Sequence, residues 1–119
     1  EFRVIRLRVM YWKEIPVKIQ IADKNNTTAS HQLPQRFQDA VDRIAMFDGS
    51  FGTDDYLEGW GYGPYLEVDG DPEKILTTLT EQFERLPNNL AEFVADRWKD
   101  KTRDETPGAI NHFADIKGL

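Results

Sequence analysis

The sequence predicts an α+β two-layer sandwich: a three-stranded antiparallel sheet in ββαβα order with helices on one face, followed by a C-terminal helix and an extended tail. Three observations carry this. Along residues 3–12, Ile5, Leu7, Val9 and Tyr11 alternate with Arg6, Arg8 and Met10, the period of a strand with one buried face. Between Leu33 and Met46, the residues Phe37, Ala40, Val41, Ile44 and Ala45 recur at the three- and four-residue spacing of one helical stripe. The same spacing returns in Ile75, Leu76, Leu79, Phe83 and Leu86.

Each element has its own punctuation. Residues 17–22 alternate Val17, Ile19 and Ile21 with Lys18 and Gln20, and the short link Lys13-Glu14-Ile15-Pro16 joins this second strand to the first as a hairpin. Pro16 has no N–H for a ladder, so it belongs at the strand start or at a bulge. The polar stretch Asp23–Gln32, with Asn25-Asn26-Thr27-Thr28 at its tip, reads as a loop. Pro34 suits a first helical turn, Asp39 and Arg43 sit one turn apart, and Gly49 follows closely enough to end the helix in a left-handed cap. In the third strand, spanning 56–68, Tyr56, Trp60 and Tyr62 alternate with Leu57, Gly59 and Gly61; its glycines imply a bulge, a bend or close approach of another backbone.

Asp71-Pro72-Glu73 opens the second long helix, with Asp71 as cap, Pro72 in the first position and Glu73 at the positive end of the dipole. Pro87 breaks it, and Leu90, Phe93, Val94, Arg97 and Trp98 continue at helical spacing to about Lys101. Residues 1–101 therefore form a single α+β domain and 102–119 a C-terminal tail carrying Ile110, Phe113 and Ile116. A solvated tail has no use for three large apolar groups at that spacing, so they are expected to pack on a neighbouring subunit and to order only there.

A chain of 119 residues holds one core. No apolar run approaches the ~20 residues of a membrane-spanning helix. The lack of cysteine removes disulfides, thiolate nucleophiles and zinc–thiolate sites, and is compatible with a reducing, intracellular setting. Bacterial cytoplasm and an organelle matrix, mitochondrial for example, fit alike; a first residue other than Met would suit a trimmed organellar precursor. The net charge of −6 argues against nucleic acid as a partner, because that binding is driven by Lys and Arg displacing counterions. The charge is uneven, +3 over residues 1–22 and −10 from Asp39 to Glu92.

No motif spells out a reaction, so no catalytic, cofactor or metal residue is expected, and no cofactor. Gly59-Trp60-Gly61-Tyr62-Gly63 lacks the following helix that a phosphate-binding loop needs. His31 and His112 have no neighbouring ligands and read as surface residues. Asp54-Asp55 and Asp69-Gly70-Asp71 lack the alternating oxygen ligands and closing Glu of a calcium loop, and read as turn and cap residues. What remains is a set rich in the residues that anchor protein interfaces: Arg6, Arg8, Trp12, Trp60 and Tyr62, expected on the sheet face away from the helices, with Ile110, Phe113 and Ile116 in the tail.

The runs Arg8-Val9-Met10-Tyr11-Trp12-Lys13-Glu14-Ile15-Pro16-Val17 and Leu33-Pro34-Gln35-Arg36-Phe37, with Asp55-Tyr56-Leu57-Glu58-Gly59-Trp60 and Gly63-Pro64 after them, are similar to the small "virulence factor" domain. The resemblance covers about residues 3–86. That domain occurs alone in bacteria and as a module of conserved virulence factor C, beside repeat and scaffold-like regions. It implies protein interaction and brings no catalytic residues. The expected function is a non-catalytic accessory or subunit domain binding a protein partner within a larger complex. The alternative is a small enzyme or ligand-binding subunit beside a larger catalytic partner in one-carbon or cofactor metabolism, which would gather Arg6, Arg8, Asp55 and Glu58 around one pocket.

Overall fold

The computed structural model describes residues 4–23 and 28–119. β1 (Val4–Trp12) lies inside the sheet, paired along both edges, with Ile5, Leu7, Val9 and Tyr11 enclosed. It pairs antiparallel with β2 (Ile15–Ala22), and β2 pairs antiparallel with β3 (Thr28–Gln32). The other edge of β1 is shared by two short strands, β4 (Trp60–Tyr62) beside Met10–Trp12 and β5 (Leu66–Asp69) beside Val4–Leu7. Among the described residues the sheet therefore has five strands, not three.

Both errors in the expected strand count have physical causes. β3 lies inside the stretch read as a loop. Its sequence, Thr-Ala-Ser-His-Gln, is exposed throughout and shows no apolar alternation to detect. The third strand expected at 56–68 is instead a short helix α2 (Asp54–Glu58) followed by β4 and β5, with Gly63-Pro64 between them where no ladder forms. Asp54 and Asp55 occupy the first turn of α2. The loop tip at Asn25-Asn26 and the strand start at Arg3 lie outside the described residues.

The helices follow the sequence closely. α1 (Gln35–Phe47) buries Phe37, Ala40, Val41, Ile44 and Ala45, the full stripe read from spacing. α3 (Pro72–Phe83) is capped by the Asp71 carboxylate, which accepts from the Glu73 N–H, and α4 (Leu90–Lys99) by the Asn89 side chain, which accepts from the Glu92 N–H. α1 and α3 pack on β2, α4 packs on α1, and Ile5, Leu7, Val9 and Ile19 share one core with Phe37, Val41, Ile44, Leu79 and Phe83. The ladder slips between Met10 and Tyr11, where Pro16 pairs and Val17 is left over, so the proline does mark a bulge.

The tail departs from expectation. Ile110 and Ile116 are buried in the same core as the sheet and helices, and a 3-10 turn (Asn111–Ala114) lies against α3. The Asn111 amide donates to the Tyr11 hydroxyl at 2.8 Å, a bond made in the interior. Residues 102–119 satisfy their apolar groups on their own domain and need no neighbouring subunit to do so.

Two stability measurements check this arrangement. Leu79→Ala should lower the unfolding free energy by about 2–4 kcal/mol in chemical denaturation, as buried leucine truncations do. Removing residues 102–119 should cost several kcal/mol, a large share of the roughly 5–15 kcal/mol that holds a domain folded. A truncated chain that still unfolds cooperatively near the full-length midpoint would contradict the placement of the tail.

Candidate functional site

The β1–β2 hairpin turns on two residues, Lys13 and Glu14, and both are buried. Lys13 adopts φ +50°, the left-handed region that side chains other than glycine's seldom occupy. Its N–H is held by the Gly59 carbonyl at 2.7 Å, and its ammonium touches Asp48 at 2.9 Å, Asp55 at 3.0 Å and Glu105 at 3.2 Å. Glu14 receives both faces of a fork from Arg103, Nε to Oε2 and Nη2 to Oε1, each at 2.8 Å. Arg103 also reaches Asp48 at 3.0 Å. Asp48 sits at the C-cap of α1 and accepts from the Ser50 hydroxyl and N–H as well.

The cluster joins the hairpin tip, the end of α1, the start of α2 and the tail. Burial alone would push the Asp48 carboxyl up, but hydrogen bonds from Ser50, Lys13 and Arg103 outweigh it and hold the group down at about 2. Burial likewise pulls the Lys13 ammonium down, and its bonds to Asp48 and Asp55 more than reverse this. Every charge in the cluster is already engaged by another. None of its members lines any of the three described cavities. Among the described residues, no group of three His, Asp or Glu is set to hold a metal ion.

The second feature is the sheet face opposite the helices. Arg8 donates from Nε to Gln20 Oε1 at 2.6 Å, and its guanidinium lies 3.6 Å over the Tyr62 ring and 4.6 Å from the centre of Tyr65. Arg6 lies 5.0 Å over Tyr65, opposite Glu67 in the ladder. Tyr62 and Tyr65 are 42% and 44% exposed. Such stacking engages the face of a guanidinium, whose N–H donors lie in its plane.

The sequence profile described as Virulence factor matches residues 10–94, a span that includes the hairpin tip, α1 and the aromatic β4 strand. The chain belongs to this family. No match to it is found among curated proteins or among solved structures. Family membership assigns no reaction here, so the role of each residue rests on its surroundings.

Of the candidate interaction residues, Arg6, Arg8 and Tyr62 do share the open face. Trp12 does not. Its parity along β1 is that of Arg8, but α2 and the start of β4 close over it: the indole N–H donates to the Tyr56 carbonyl at 2.9 Å, and a Cβ on Gly59 would stand 2.7 Å from Nε1. Trp60 is half-buried, edge-on to Tyr56. Ile110 and Ile116 are core residues, and Phe113, partly exposed, packs edge-on against Phe93 of α4. Arg6, Arg8, Asp55 and Glu58 form no common pocket, since Asp55 turns to Lys13 and Glu58 is exposed on α2.

Tyr65 and Gln20, which complete the setting of Arg8, and Arg103 and Glu105, which complete the cluster, are absent from the sequence-based candidates. Lys13-Glu14 inside an apolar hairpin was the available signal. Two charges at a site enclosed on both sides demand partners.

Two outcomes follow for the cluster. Arg103→Ala should cost about 3–5 kcal/mol by leaving the Glu14 carboxylate buried and unpaired, whereas Glu14→Met with Arg103→Met together should cost less than either single change. Denaturation of the three variants decides it. Because Asp48 is held at about 2 against an ordinary 3.8, its contribution to stability is complete above pH 4 and is lost as pH falls towards 2. Asp48→Asn should therefore be less stable at neutral pH and show a shallower loss over that interval.

Proposed function

We propose that this chain is a non-catalytic accessory or subunit domain that binds a protein partner through the open face of its sheet. The observation that carries this is the setting of Arg8. In a chain with 21 acidic residues, its guanidinium is stacked on two exposed tyrosines and bonded to an amide, with no carboxylate partner among the described residues. Arg and Tyr held rigid on a strand are the residues that anchor protein interfaces, because little side-chain freedom is left to lose on binding. An acidic or carboxylate-bearing surface matches a guanidinium that has no carboxylate of its own among the described residues.

A non-catalytic role is supported by the state of the reactive groups. Lys13, Glu14, Asp48 and Arg103 are enclosed charges among the described residues, and each is bound to another. A protein partner is favoured over nucleic acid by the net charge of −6, which a small basic face does not overcome at phosphate spacing. Among the described residues, no helix is long and apolar enough to cross a membrane.

The test is affinity capture from the native source with intact-complex mass spectrometry, comparing the wild type with Arg8→Ala and Tyr62→Ala. Both changes remove exposed or half-exposed groups, so stability should move by no more than about 0.5–1 kcal/mol. Recovery of the complex should fall at least tenfold, as hot-spot truncations at an interface do. A complex recovered equally by all three would place the interface elsewhere.

A further inference from the structure

β3 is the outer strand of the sheet, and its free edge is open. The Leu33 N–H donates to the Val17 carbonyl at 2.9 Å, which sets the alternation of the antiparallel pair. Ala29 and His31 turn their peptide groups to β2. Thr28, Ser30 and Gln32 turn theirs outward. Among the described residues no hydrogen bond reaches the outward N–H or carbonyl of Ser30 or Gln32. Strand edges of this kind are ordinarily blunted by lysine, proline or a bulge, because they accept another strand. Thr-Ala-Ser-His-Gln carries none of these.

Beside this edge runs a groove of about 520 Å³ between β3 and α3. His31 lines it from the strand; Leu76, Thr77 and Thr80 line it from the helix, with Glu73 and Glu81 among them. His31 lies on the helix side because it pairs with Ile19, a core residue. Leu76 is only half-buried, so it offers apolar surface to an occupant. The Thr80 hydroxyl is enclosed and has no hydrogen-bond partner. Glu73 and Glu81 have no ion-pair partner among the described residues, and eight helical positions set them about 12 Å apart, within reach of two basic side chains of one extended hexapeptide.

We propose that the free edge of β3 and the groove along α3 bind an extended basic peptide segment as a sixth strand of the sheet. The peptide groups of Ser30 and Gln32 supply the main-chain bonds, and alternate side chains of the peptide enter the groove. Leu76 receives an apolar side chain; Glu73 and Glu81 select Lys or Arg. The charge of this groove is opposite to that of the open face, so the two surfaces take different partners. They share no residue, and Arg8→Ala leaves the groove as it is. Failure of one reading is thus distinguishable from failure of the other.

The experiment uses the full chain and a capped hexapeptide Lys-Thr-Val-Thr-Lys-Thr, which places two lysines and the valine between them on one face, with the same peptide carrying glutamate for lysine and the same peptide N-methylated at alternate residues as controls. Fluorescence anisotropy reads affinity, and amide hydrogen exchange by NMR reads the contact. The lysine peptide should slow exchange at the Ser30 and Gln32 amides, and the N-methylated and glutamate peptides should not. Glu73→Gln combined with Glu81→Gln should weaken binding about tenfold. Ser30→Pro removes an N–H that β2 does not use, at an edge position where proline is tolerated, and should abolish binding without lowering Tm appreciably. Should that variant fail to fold, the N-methylated peptide on the native chain decides the matter. Binding indifferent to N-methylation, equal binding of the glutamate peptide, or a dimer of this chain through β3 that excludes the peptide would each overturn the proposal.

Discussion

The structure depends on a carboxylate and a guanidinium that lie 89 residues apart in sequence. Glu14 stands at the tip of the central hairpin, where the sheet is covered on both sides, and a bare charge there would cost several kcal/mol. Arg103 meets it with both arms of a fork, and Asp48, from the end of α1, meets Arg103 and Lys13 together. One point therefore ties the hairpin, α1, α2 and the C-terminal segment. Buried ion pairs of this sort contribute little net stability against an apolar replacement, but they tolerate no missing partner. The left-handed turn at Lys13 is a further constraint, since the ammonium reaches its three carboxylates from a backbone shape that lysine does not prefer.

Legibility in the sequence followed burial contrast. The buried stripe of α1 was legible to the residue because one side meets the core and the other meets water, although the helix starts at Gln35 with Pro34 as its N-cap, and β1 and β2 alternate cleanly for the same reason. β3 was invisible because it is exposed on both sides and its order comes from main-chain pairing to β2. Of the glycines at 59–63, Gly63 does mark the close approach of another backbone, since a Cβ there would stand 3.1 Å from the Tyr11 ring and 3.2 Å from the Leu119 backbone, whereas Gly61 has nothing within 4 Å. What Gly63 approaches is set by residues distant in sequence. Arg103, in a polar stretch, carries no local mark of being a core residue. Periodicity cannot show that its partner is a buried glutamate near the other end of the chain.

The same limit governed the candidate site. Parity along β1 placed Arg6 and Arg8 correctly, since parity is a local property of a strand. It also placed Trp12 beside them, and there a local rule failed against a nonlocal cover, the α2–β4 segment folding over the indole. The result is a division of labour among the charged residues. Those at the hairpin tip are consumed by the fold, whereas Arg8 on the open face and Glu73 and Glu81 along α3 have no ion-pair partner among the described residues. Their signs differ, basic on the sheet and acidic on the helix, so the molecule's field is polarised between the two surfaces and weakens as salt screens it.

The span between Glu14 and Arg103 has a consequence for the chain as it is made. The hairpin leaves the ribosome 89 residues ahead of Arg103, so its tip cannot be enclosed while its counter-ion is still to be translated. Until then the strands that will form the middle of the sheet have an unmet charge at one end and uncovered peptide edges along both sides. Exposure to mispairing therefore lasts for the whole interval between the two residues, a cost borne during synthesis that the finished fold does not reveal.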